Sequence, residues 1–371
     1  MKIVFIVGTR PEFIKVAPVY KVFKEDLRYE AILISTGQHL TMLRQLYDFF
    51  EIVPNYDLEV MSQNQSLSSL SSVLMEKLHN LFDKLEPDYV LIQGDTTTTF
   101  ISSLAAYYKK IPVLHLEAGL RTQNNYSPFP EEVNRKLTSV IAEYHFCPTI
   151  LAIENLKKEN IEKNVYEVGN TVIDSLTWAK EKVGENQGQY DAKFGYLKSY
   201  KEIVLITAHR RESFEGGISD IASAIKELAL EHKNYAFVYP VHLNPNVKEI
   251  VYNEIDDISN VFLLEPLNYD EMVYLMMSSY IIMTDSGGIQ EEAPSLNKPV
   301  IVLRDTTERV EAIDANTCVL AGSNTQQIVS VFNGIAANVD TYTAMANAIN
   351  PYGDGTSASQ LKNIIDLKIF K

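Results

Sequence analysis

Short apolar runs alternate with stretches of helical periodicity along the first half of the chain. The helical signal is clearest where Leu67, Leu70, Leu74, Leu78 and Leu81 recur at helical spacing. Strands that alternate with helices of about 10–15 residues indicate βαβ units and a parallel sheet. The predicted strands of this half are KIVFIVG, EAILIST, DYVLIQG and IPVLHLEA, and its predicted helices include Pro18–Phe23 and the segment TTTTFISSLAAYYKK.

A second alternating series follows a polar segment. The segment GENQGQYDAKFGYLKSYKE lacks a clear period, and we expect a linker or surface excursion there. We place the domain change near residues 169–200. The strands predicted beyond it are EIVLITA, YAFVYPV, VFLLEP, YIIMTDS and PVIVLRD. The last segment, GTSASQLKNIIDLKIF, predicts a short amphipathic helix that can fold back on either domain.

The predicted fold class is α/β, with two doubly wound, Rossmann-like domains. A chain of 371 residues is too long for one ordinary core, so two domains are expected. We predict an N-terminal domain over 1–170, a C-terminal domain over 171–352 and a final helix over 353–371 that packs back on the N-terminal domain.

Composition narrows the possible partners. The hydrophobic content of 46% and charged content of 22% are those of a soluble globular protein. A net charge of −15 argues against a nucleic-acid or anionic-membrane partner. Cys147 and Cys318 lie far apart without metal-ligand neighbours, so no disulfide framework or metal site is expected, and a cytoplasmic location fits. We find no signal peptide and no apolar run of about 20 residues.

The run TDSGGIQEEAPSLNKPV predicts an anion site. A buried strand, two glycines and a helix start place turn N–H groups where a phosphate can bind. Ser286, Gly287 and Gly288 form this corner, and Glu292 follows one turn into the helix, where it can accept hydrogen bonds from ribose hydroxyls. The alternative is a tight corner that binds no ligand.

Ionisable residues follow most of the predicted strands. Ligands of open α/β sheets bind beyond the carboxyl ends of the strands, so these residues are candidates for one site. They are Arg10 and Lys15 after the first strand, Asp95 after the third, His115, Glu117 and Arg121 at the fourth, His209, Arg210 and Arg211 after the first strand of the second half, and Arg304 and Arg309 after its last strand.

Each candidate also has a structural alternative. Asp95 can cap the Thr-rich helix, and Glu117 can be a solvated turn carboxylate. Glu131 and Glu132 can open a helix, where acidic residues favour the dipole. The remaining alternatives are a loop cap for Arg10, a solvated helix face for Lys15, a surface imidazole for His209 and a buried, hydrogen-bonded role for His115, which shares a strand face with Glu117.

The chain resembles the non-hydrolysing UDP-N-acetylglucosamine 2-epimerases over nearly its whole length. The matching runs are GTRPEFIKVAP, TGQHLTML, QGDTTTT, HLEAGLRT, SPFPEEVNR, VGNTVID, TAHRRESF, PVHLNPNV, TDSGGIQEEAPSLNKPV, RDTTER and NPYGDG. The resemblance implies two Rossmann-like domains that face each other across a cleft, as in GT-B glycosyltransferases. It also implies a homodimer that needs neither NAD nor a metal and supplies precursors for surface polysaccharides.

By this resemblance, UDP binds mainly to the C-terminal domain. Ser286, Gly287 and Gly288 would hold the diphosphate and Glu292 the ribose. Met272 would lie against the uracil in place of an aromatic residue that is frequent in the family, and Leu267 would contact the uracil through its backbone. Arg10, Lys15, His209 and Arg309 would also reach the nucleotide sugar, while Asp95, Glu117 and Glu131 match the acidic catalytic set.

The implied reaction explains these residue types. Breaking the C1–O bond to UDP as the C2–H bond breaks yields a 2-acetamidoglucal, and re-addition of UDP gives the 2-epimer. A base, an acid on the opposite face and cations on the diphosphate are required. The alternatives are an epimerase of another UDP-2-acetamido sugar, a GT-B glycosyltransferase and an inactive nucleotide-sugar-binding protein.

Two further regions depart from the family pattern. Val310 and Asn316 replace a frequent Pro and Gly beyond Arg309. Gln38 and His39 match a pair that binds a second, activating substrate molecule in some members, but Asn64 takes the place of the accompanying arginine, so this activation is not expected here.

Overall fold

The computed structural model describes residues 1–37, 40–62, 65–208 and 217–370. The chain divides into two compact units, an amino-terminal unit of Met1–Ser175 with Tyr352–Lys371 and a carboxy-terminal unit of Leu176–Pro351. Each unit contains a parallel sheet flanked by helices, so the predicted α/β class is confirmed. Across the described ranges, no helix combines the length and apolar character needed to cross a bilayer.

The amino-terminal unit alternates strands and helices from its first residues. Its strands are β1 Lys2–Val7, β2 Glu30–Ser35, β3 Tyr56–Asp57, β4 Tyr89–Gln93, β5 Val113–Leu116, β6 Tyr144–Cys147 and β7 Val165–Glu167. Its helices are α1 Arg10–Lys24, α2 Leu40–Phe50, α3 Leu67–Leu85, α4 Thr97–Tyr108, α5 Glu131–Ile141 and α6 Ile150–Lys158, and α7 Val172–Glu185 contains the boundary between the units.

The carboxy-terminal unit repeats this alternation. Its strands are β8 Glu202–Thr207, β9 Tyr235–Pro240, β10 Val261–Leu264, β11 Ile281–Thr284, β12 Val300–Val302 and β13 Cys318–Leu320. Its helices are α8 Gln187–Phe194, α9 Gly217–Glu231, α10 Pro245–Ile255, α11 Tyr269–Ser278, α12 Gly287–Glu292, α13 Val310–Asp314, α14 Thr325–Ala336 and α15 Val339–Ala346, with 3-10 turns at Gly195–Ser199 and Ala293–Leu296. The chain ends with α16 Ser357–Ile369 in the amino-terminal unit.

Both sheets are doubly wound. Within the described residues, the strand order is β3-β2-β1-β4-β5-β6-β7 in the first sheet and β10-β9-β8-β11-β12-β13 in the second, and all pairs are parallel. The direction of winding reverses between β1 and β4 and again between β8 and β11. In open parallel sheets, ligands bind beyond the strand ends at such reversals.

Helices on both faces explain the composition of the strands. In β1, every residue after Lys2 is buried, as expected of a central parallel strand. The apolar stripe of α3 packs on one face of this sheet through Leu70, Leu74 and Leu78, together with Val4 and Ile6 of β1. The matching core of the carboxy-terminal unit lies around Val204, Phe237, Met283, Ile301 and Phe332.

The polar segment at residues 184–202 is neither a linker nor a surface excursion, and that prediction is wrong. It forms α8 and a 3-10 turn that bury Tyr190, Phe194 and Leu197. The Tyr190 ring stacks on Tyr274 of α11 with centroids 5.3 Å apart, and its hydroxyl donates to Asp270 at 2.9 Å. The spacing of the three apolar residues is helical, but the polar residues between them obscure it.

Four strands were not predicted from the sequence. They are the short strands β3, β6, β7 and β13 at the outer parts of the two sheets. Runs of two to four residues, such as YHFC in β6, are too short to show a strand period.

The last helix is anchored by buried and charged contacts. The Asp174 carboxylate accepts hydrogen bonds from the Ser357 and Ala358 backbone N–H groups at 3.3 and 2.9 Å, which caps the start of α16. Further along α16, Lys362 pairs with Asp26 at 2.7 Å. Both contacts lie within the amino-terminal unit.

Candidate active site

The strand ends of the amino-terminal unit bring together three groups of predicted site residues. Arg10 and Lys15 lie on α1 directly after β1, Asp95 follows β4, and Glu117 follows β5. Since β1, β4 and β5 are consecutive in the sheet, their carboxyl ends lie side by side.

Glu117 is held in place by polar contacts from two directions. Its side chain is 7% exposed, and each carboxylate oxygen lies 2.7 Å from the Lys15 Nζ. The Gln93 side-chain amide donates to the same carboxylate. The backbone of Glu117 has a φ of 63°, a left-handed conformation that costs a non-glycine residue roughly 1–3 kcal/mol. Strain of this kind, maintained by surrounding contacts, is typical of functional positions.

Asp95 is oriented by α5. Arg135 approaches the Asp95 Oδ2 with its Nε at 2.9 Å and its terminal nitrogen at 2.8 Å. The Asn134 side-chain amide donates to the Asp95 carbonyl at 2.9 Å. Thr96, not Asp95, caps α4 by accepting from the Thr99 N–H, so the capping alternative for Asp95 is wrong.

Glu131 and Glu132 open α5 and have different environments. Glu131 is half-buried, its side chain has no hydrogen bond or ion pair to the described residues, and the helix dipole favours its charge. Glu132 is fully buried and accepts from the Thr122 and Gln123 N–H groups and from Arg135. Burial alone would raise the pKa of Glu132, but these donors hold that pKa below its ordinary value. Glu132 therefore anchors the preceding loop, while Glu131 remains accessible.

Arg135 and Asn134 were not singled out from the sequence. Arg135 joins the carboxylates of Asp95 and Glu132 at 2.8 and 3.1 Å. The signal was present in SPFPEEVNR, because a basic residue one helical turn after an acidic pair shares their helix face. Its contact with Asp95 depends on how α5 packs beside α4.

The SGG corner of the carboxy-terminal unit follows β11 as predicted. The Ser286 N–H donates to the Thr284 Oγ1 at 2.9 Å, and Thr284 in turn bonds the Thr207 hydroxyl of β8 at 2.6 Å. Gly287 and Gly288 begin α12, where first-turn N–H groups have no acceptor within the helix.

Arg309 lies directly against this corner. A Cβ atom added to Gly287 would be 3.3 Å from the guanidinium carbon of Arg309, so glycine allows the close approach. Arg309 is anchored by two nitrogens that each lie 2.9 Å from the Glu291 Oε1. A fixed cation beside turn N–H groups is suited to bind an oxyanion.

The other predicted residues of this unit are distributed over α11 and α12. Glu292 is buried on α12, Leu267 is buried just before α11, and Met272 is half-buried in its first turns. Arg304 is half-buried after β12.

Some of the predicted residues of both units lie outside the described residues. They are His209, Arg210, Arg211, Gln38, His39 and Asn64.

Known proteins are similar to this chain over most of its length. A family model for UDP-N-acetylglucosamine 2-epimerase matches residues 21–366. A UDP-N-acetylglucosamine 2-epimerase of Neisseria meningitidis serogroup A is 47% identical over 96% of this chain and 97% of its own length. The enzyme of the same name from Yersinia pestis is 45% identical over 97% of both chains.

This chain belongs to the UDP-N-acetylglucosamine 2-epimerase family. A crystal structure of UDP-GlcNAc 2-epimerase from Neisseria meningitidis bound to UDP-GlcNAc is similar to it with a TM-score of 0.93 and 46% identity, covering 99% of this chain and 100% of that one. The predicted family and its GT-B-type fold are therefore confirmed, and the family is one of isomerases.

The described part of this epimerase-family chain contains no group of three His, Cys, Asp or Glu side chains that fits a metal ion. Two of its candidate carboxylates are paired with cations of the protein, Glu117 with Lys15 and Asp95 with Arg135. The roles of the individual site residues remain predictions.

Proposed function

We propose that this protein interconverts UDP-GlcNAc and UDP-ManNAc by eliminating UDP to a 2-acetamidoglucal and adding it back. The observation that carries the proposal is the arrangement of Glu117 with Lys15 and of Asp95 with Arg135 at neighbouring strand ends. Family membership supports it, as does the Neisseria relative, whose structure was determined with UDP-GlcNAc bound.

The reaction needs groups that move protons at C2 of the sugar. This carbon has no adjacent carbonyl, so its proton is removed as the C1–O bond to UDP breaks. Asp95, Glu117 and Glu131 share the proton transfers. The proton leaves C2 on one face of the sugar and is returned on the opposite face. Lys15 and Arg135 orient two of these carboxylates, and general acid–base catalysis depends on such placement.

The departing UDP needs a fixed positive environment. Ser286, Gly287, Gly288 and Arg309 bind the diphosphate, and the Glu291 carboxylate keeps Arg309 in position. Arg10 and His209 add donors that stabilise the charge of the leaving group.

The nucleoside contacts complete the assignment. Glu292 accepts hydrogen bonds from the ribose hydroxyls, and Leu267 and Met272 lie against the uracil. The carboxy-terminal unit thus holds the UDP moiety, and the amino-terminal unit supplies the proton-transfer groups. No cofactor takes part in this scheme.

We also propose a homodimer in the cytosol. Apolar side chains on α4 and α5 are exposed, with Tyr107 at 60%, Tyr108 at 62% and Val140 at 78%. Such side chains favour a protein–protein interface. Cys147 and Cys318 are buried free thiols, as expected in a reducing compartment. Light scattering should give the mass of two chains for the wild type and of one chain for a Val140→Glu variant.

Incubation with UDP-GlcNAc in heavy water tests the reaction. We expect deuterium at C2 and formation of UDP-ManNAc, because the proton returned to C2 comes from solvent. Binding of UDP-GlcNAc without exchange would contradict the proposal and indicate a nucleotide-sugar-binding protein. Transfer of the sugar to an acceptor without exchange would indicate a glycosyltransferase.

A further inference from the structure

The turn that carries Asp95 consists of Gly94, Asp95 and Thr96, and each of these three residues is held by contacts with other elements. Gly94 has a φ of 76°, and its N–H donates to the Leu116 carbonyl of β5 at 3.0 Å. The Gly94 carbonyl lies 2.8 Å from the His115 Nε2. A carbonyl only accepts, so Nε2 carries the proton and the neutral ring has a defined tautomer. Strand β5 therefore holds Gly94 through both of its main-chain polar groups.

Glu12 holds the same turn from the side of β1. It is 2% exposed, and its carboxylate accepts from the Gly8 and Thr9 N–H groups at 2.9 and 2.6 Å. It also accepts from the hydroxyl of Thr96, the residue after Asp95, at 2.6 Å. Burial is the main influence and raises the pKa of Glu12, which the hydrogen bonds with Thr96, Thr9 and Gly8 partly oppose.

His115 is buried at 1% exposure, so it cannot exchange protons readily with solvent. Burial lowers its pKa to about 3, and the nearby His145 and Arg121 act in the same direction. The ring is consequently neutral over the pH range in which such enzymes operate, and it acts as a fixed N–H donor and not as a proton carrier.

We propose that His115 is a positioning residue for Asp95, acting through its hydrogen bond to the Gly94 carbonyl. This inference rests on the proposed function, in which Asp95 takes part in the proton transfers at C2. His115 lies on β5 two residues before Glu117, so one strand determines the position of both carboxylates. A displacement of about 1 Å at a reacting group can cost roughly 10²-fold in rate.

His145 provides a matched control. It pairs in register with His115 on the neighbouring strand β6, so both side chains project from the same face of the sheet. It is 2% exposed, and its Nδ1 has no hydrogen-bond partner among the described residues. Replacing either ring by methionine removes a buried imidazole, but only the change at His115 removes a donor to the Asp95 turn.

The experiment compares His115→Met, His115→Gln and His145→Met in the full-length protein. Rates of C2 deuterium exchange, kcat and KM for UDP-GlcNAc, and Tm are measured for each. We expect kcat of His115→Met to fall about tenfold or more with little change in KM. His115→Gln, whose amide can donate to Gly94, should recover most of that loss, and His145→Met should keep the wild-type kcat with a lowered Tm.

Three results would overturn the inference. They are an equal kcat in His115→Met and His145→Met, a raised KM with an unchanged kcat in His115→Met, and a kcat of His115→Gln as low as that of His115→Met. If His115→Met does not fold, His115→Phe, which also lacks a donor to the Gly94 carbonyl, is compared with His115→Gln, and equal kcat in these two variants would overturn the inference. A wild-type protein without C2 exchange would instead refute the proposed function. An active wild type whose Asp95→Asn variant is equally active would remove the role of Asp95 and, with it, that of His115.

Discussion

The two units place their candidate residues at equivalent strand ends but fix them by different means. In the amino-terminal unit, the groups are side chains that are held by opposite charges, as in the Lys15–Glu117 and Arg135–Asp95 pairs. In the carboxy-terminal unit, the corner itself is formed by main chain, and Arg309, which is paired with Glu291, approaches Gly287 closely because no Cβ intervenes. The first arrangement suits proton transfer, which needs precisely oriented carboxylates, and the second suits binding of an oxyanion.

This difference predicts different kinetic consequences. Changes to the amino-terminal carboxylates should lower kcat, whereas changes to the carboxy-terminal corner should weaken UDP binding. An amino-terminal carboxylate variant that weakens UDP binding and keeps kcat would contradict this comparison. So would a variant of the carboxy-terminal corner that lowers kcat and keeps the affinity for UDP.

The largest effect is expected for Glu117→Gln. The amide cannot accept or deliver a proton, and general acid–base groups contribute about 10²–10⁴-fold, so kcat should fall by that factor. Steady-state kinetics with UDP-GlcNAc measure it. Glu86→Gln is the control, since Glu86 also has a left-handed backbone, with a φ of 47°, but is exposed at the end of α3. Unchanged kcat in Glu117→Gln would exclude this carboxylate from the chemistry.

An intermediate effect is expected for stability in acid. The interior of the amino-terminal unit contains two buried histidines, His115 and His145, whose pKa values are lowered. Burial lowers the pKa of His115 to about 3 and that of His145 to about 4, from an ordinary value of 6.5. Below pH 6.5 the unfolded chain therefore binds more protons than the folded one, and the stability contributed by His145 falls until about pH 4 and that by His115 until about pH 3. Each histidine contributes at most about 1.4 kcal/mol per pH unit in this range.

Urea unfolding at several pH values, compared between the wild type and His145→Met, measures this contribution. The free energy of unfolding of the variant should depend less steeply on pH between about 6.5 and 4, because one of the two histidines is gone. Hydrogen exchange should place the acid-induced opening in β5 and β6 and not in β8 and β11. Identical slopes for the two proteins would contradict the assignment.

The smallest effects are expected for two glycines of the carboxy-terminal unit. Gly287→Ala places a Cβ 3.3 Å from the Arg309 guanidinium carbon, which must then move, and UDP affinity should fall roughly tenfold. Gly334 of α14 has no atom within 4 Å of an added Cβ, so Gly334→Ala should raise stability by about 0.5–1 kcal/mol and leave binding unchanged. Calorimetric titration with UDP and thermal unfolding measure both, and equal UDP affinity in the two variants would refute the role of the Arg309 contact.

Much of the candidate site was predictable from the sequence because of a general property of parallel sheets. The strand runs were long and apolar enough to be recognised, and their carboxyl ends must meet at one edge. This reasoning predicts that Asp95 and Glu117 lie at the same edge of one sheet. It failed for α8, where Tyr190 and Phe194 are buried in a segment of polar composition.

The contacts that orient the site were not predictable. The signals for Arg135 and Glu12 are local, since Glu12 lies in the first turn of α1 and Arg135 lies one turn into α5, but their partners Asp95 and Thr96 are far away in the sequence. Similarly, nothing in the run HLEAGLR indicates that His115 donates to Gly94.

The sequence by itself determined the alternation of strands and helices, the family and the residue types available at each strand end, since these depend on local periodicity and on ordered motifs. Only the tertiary structure decided which cation holds which carboxylate and which donors fix the Asp95 turn. Those contacts depend on how helices pack against the sheet and against one another, and packing joins residues whose separation along the chain carries no local signal.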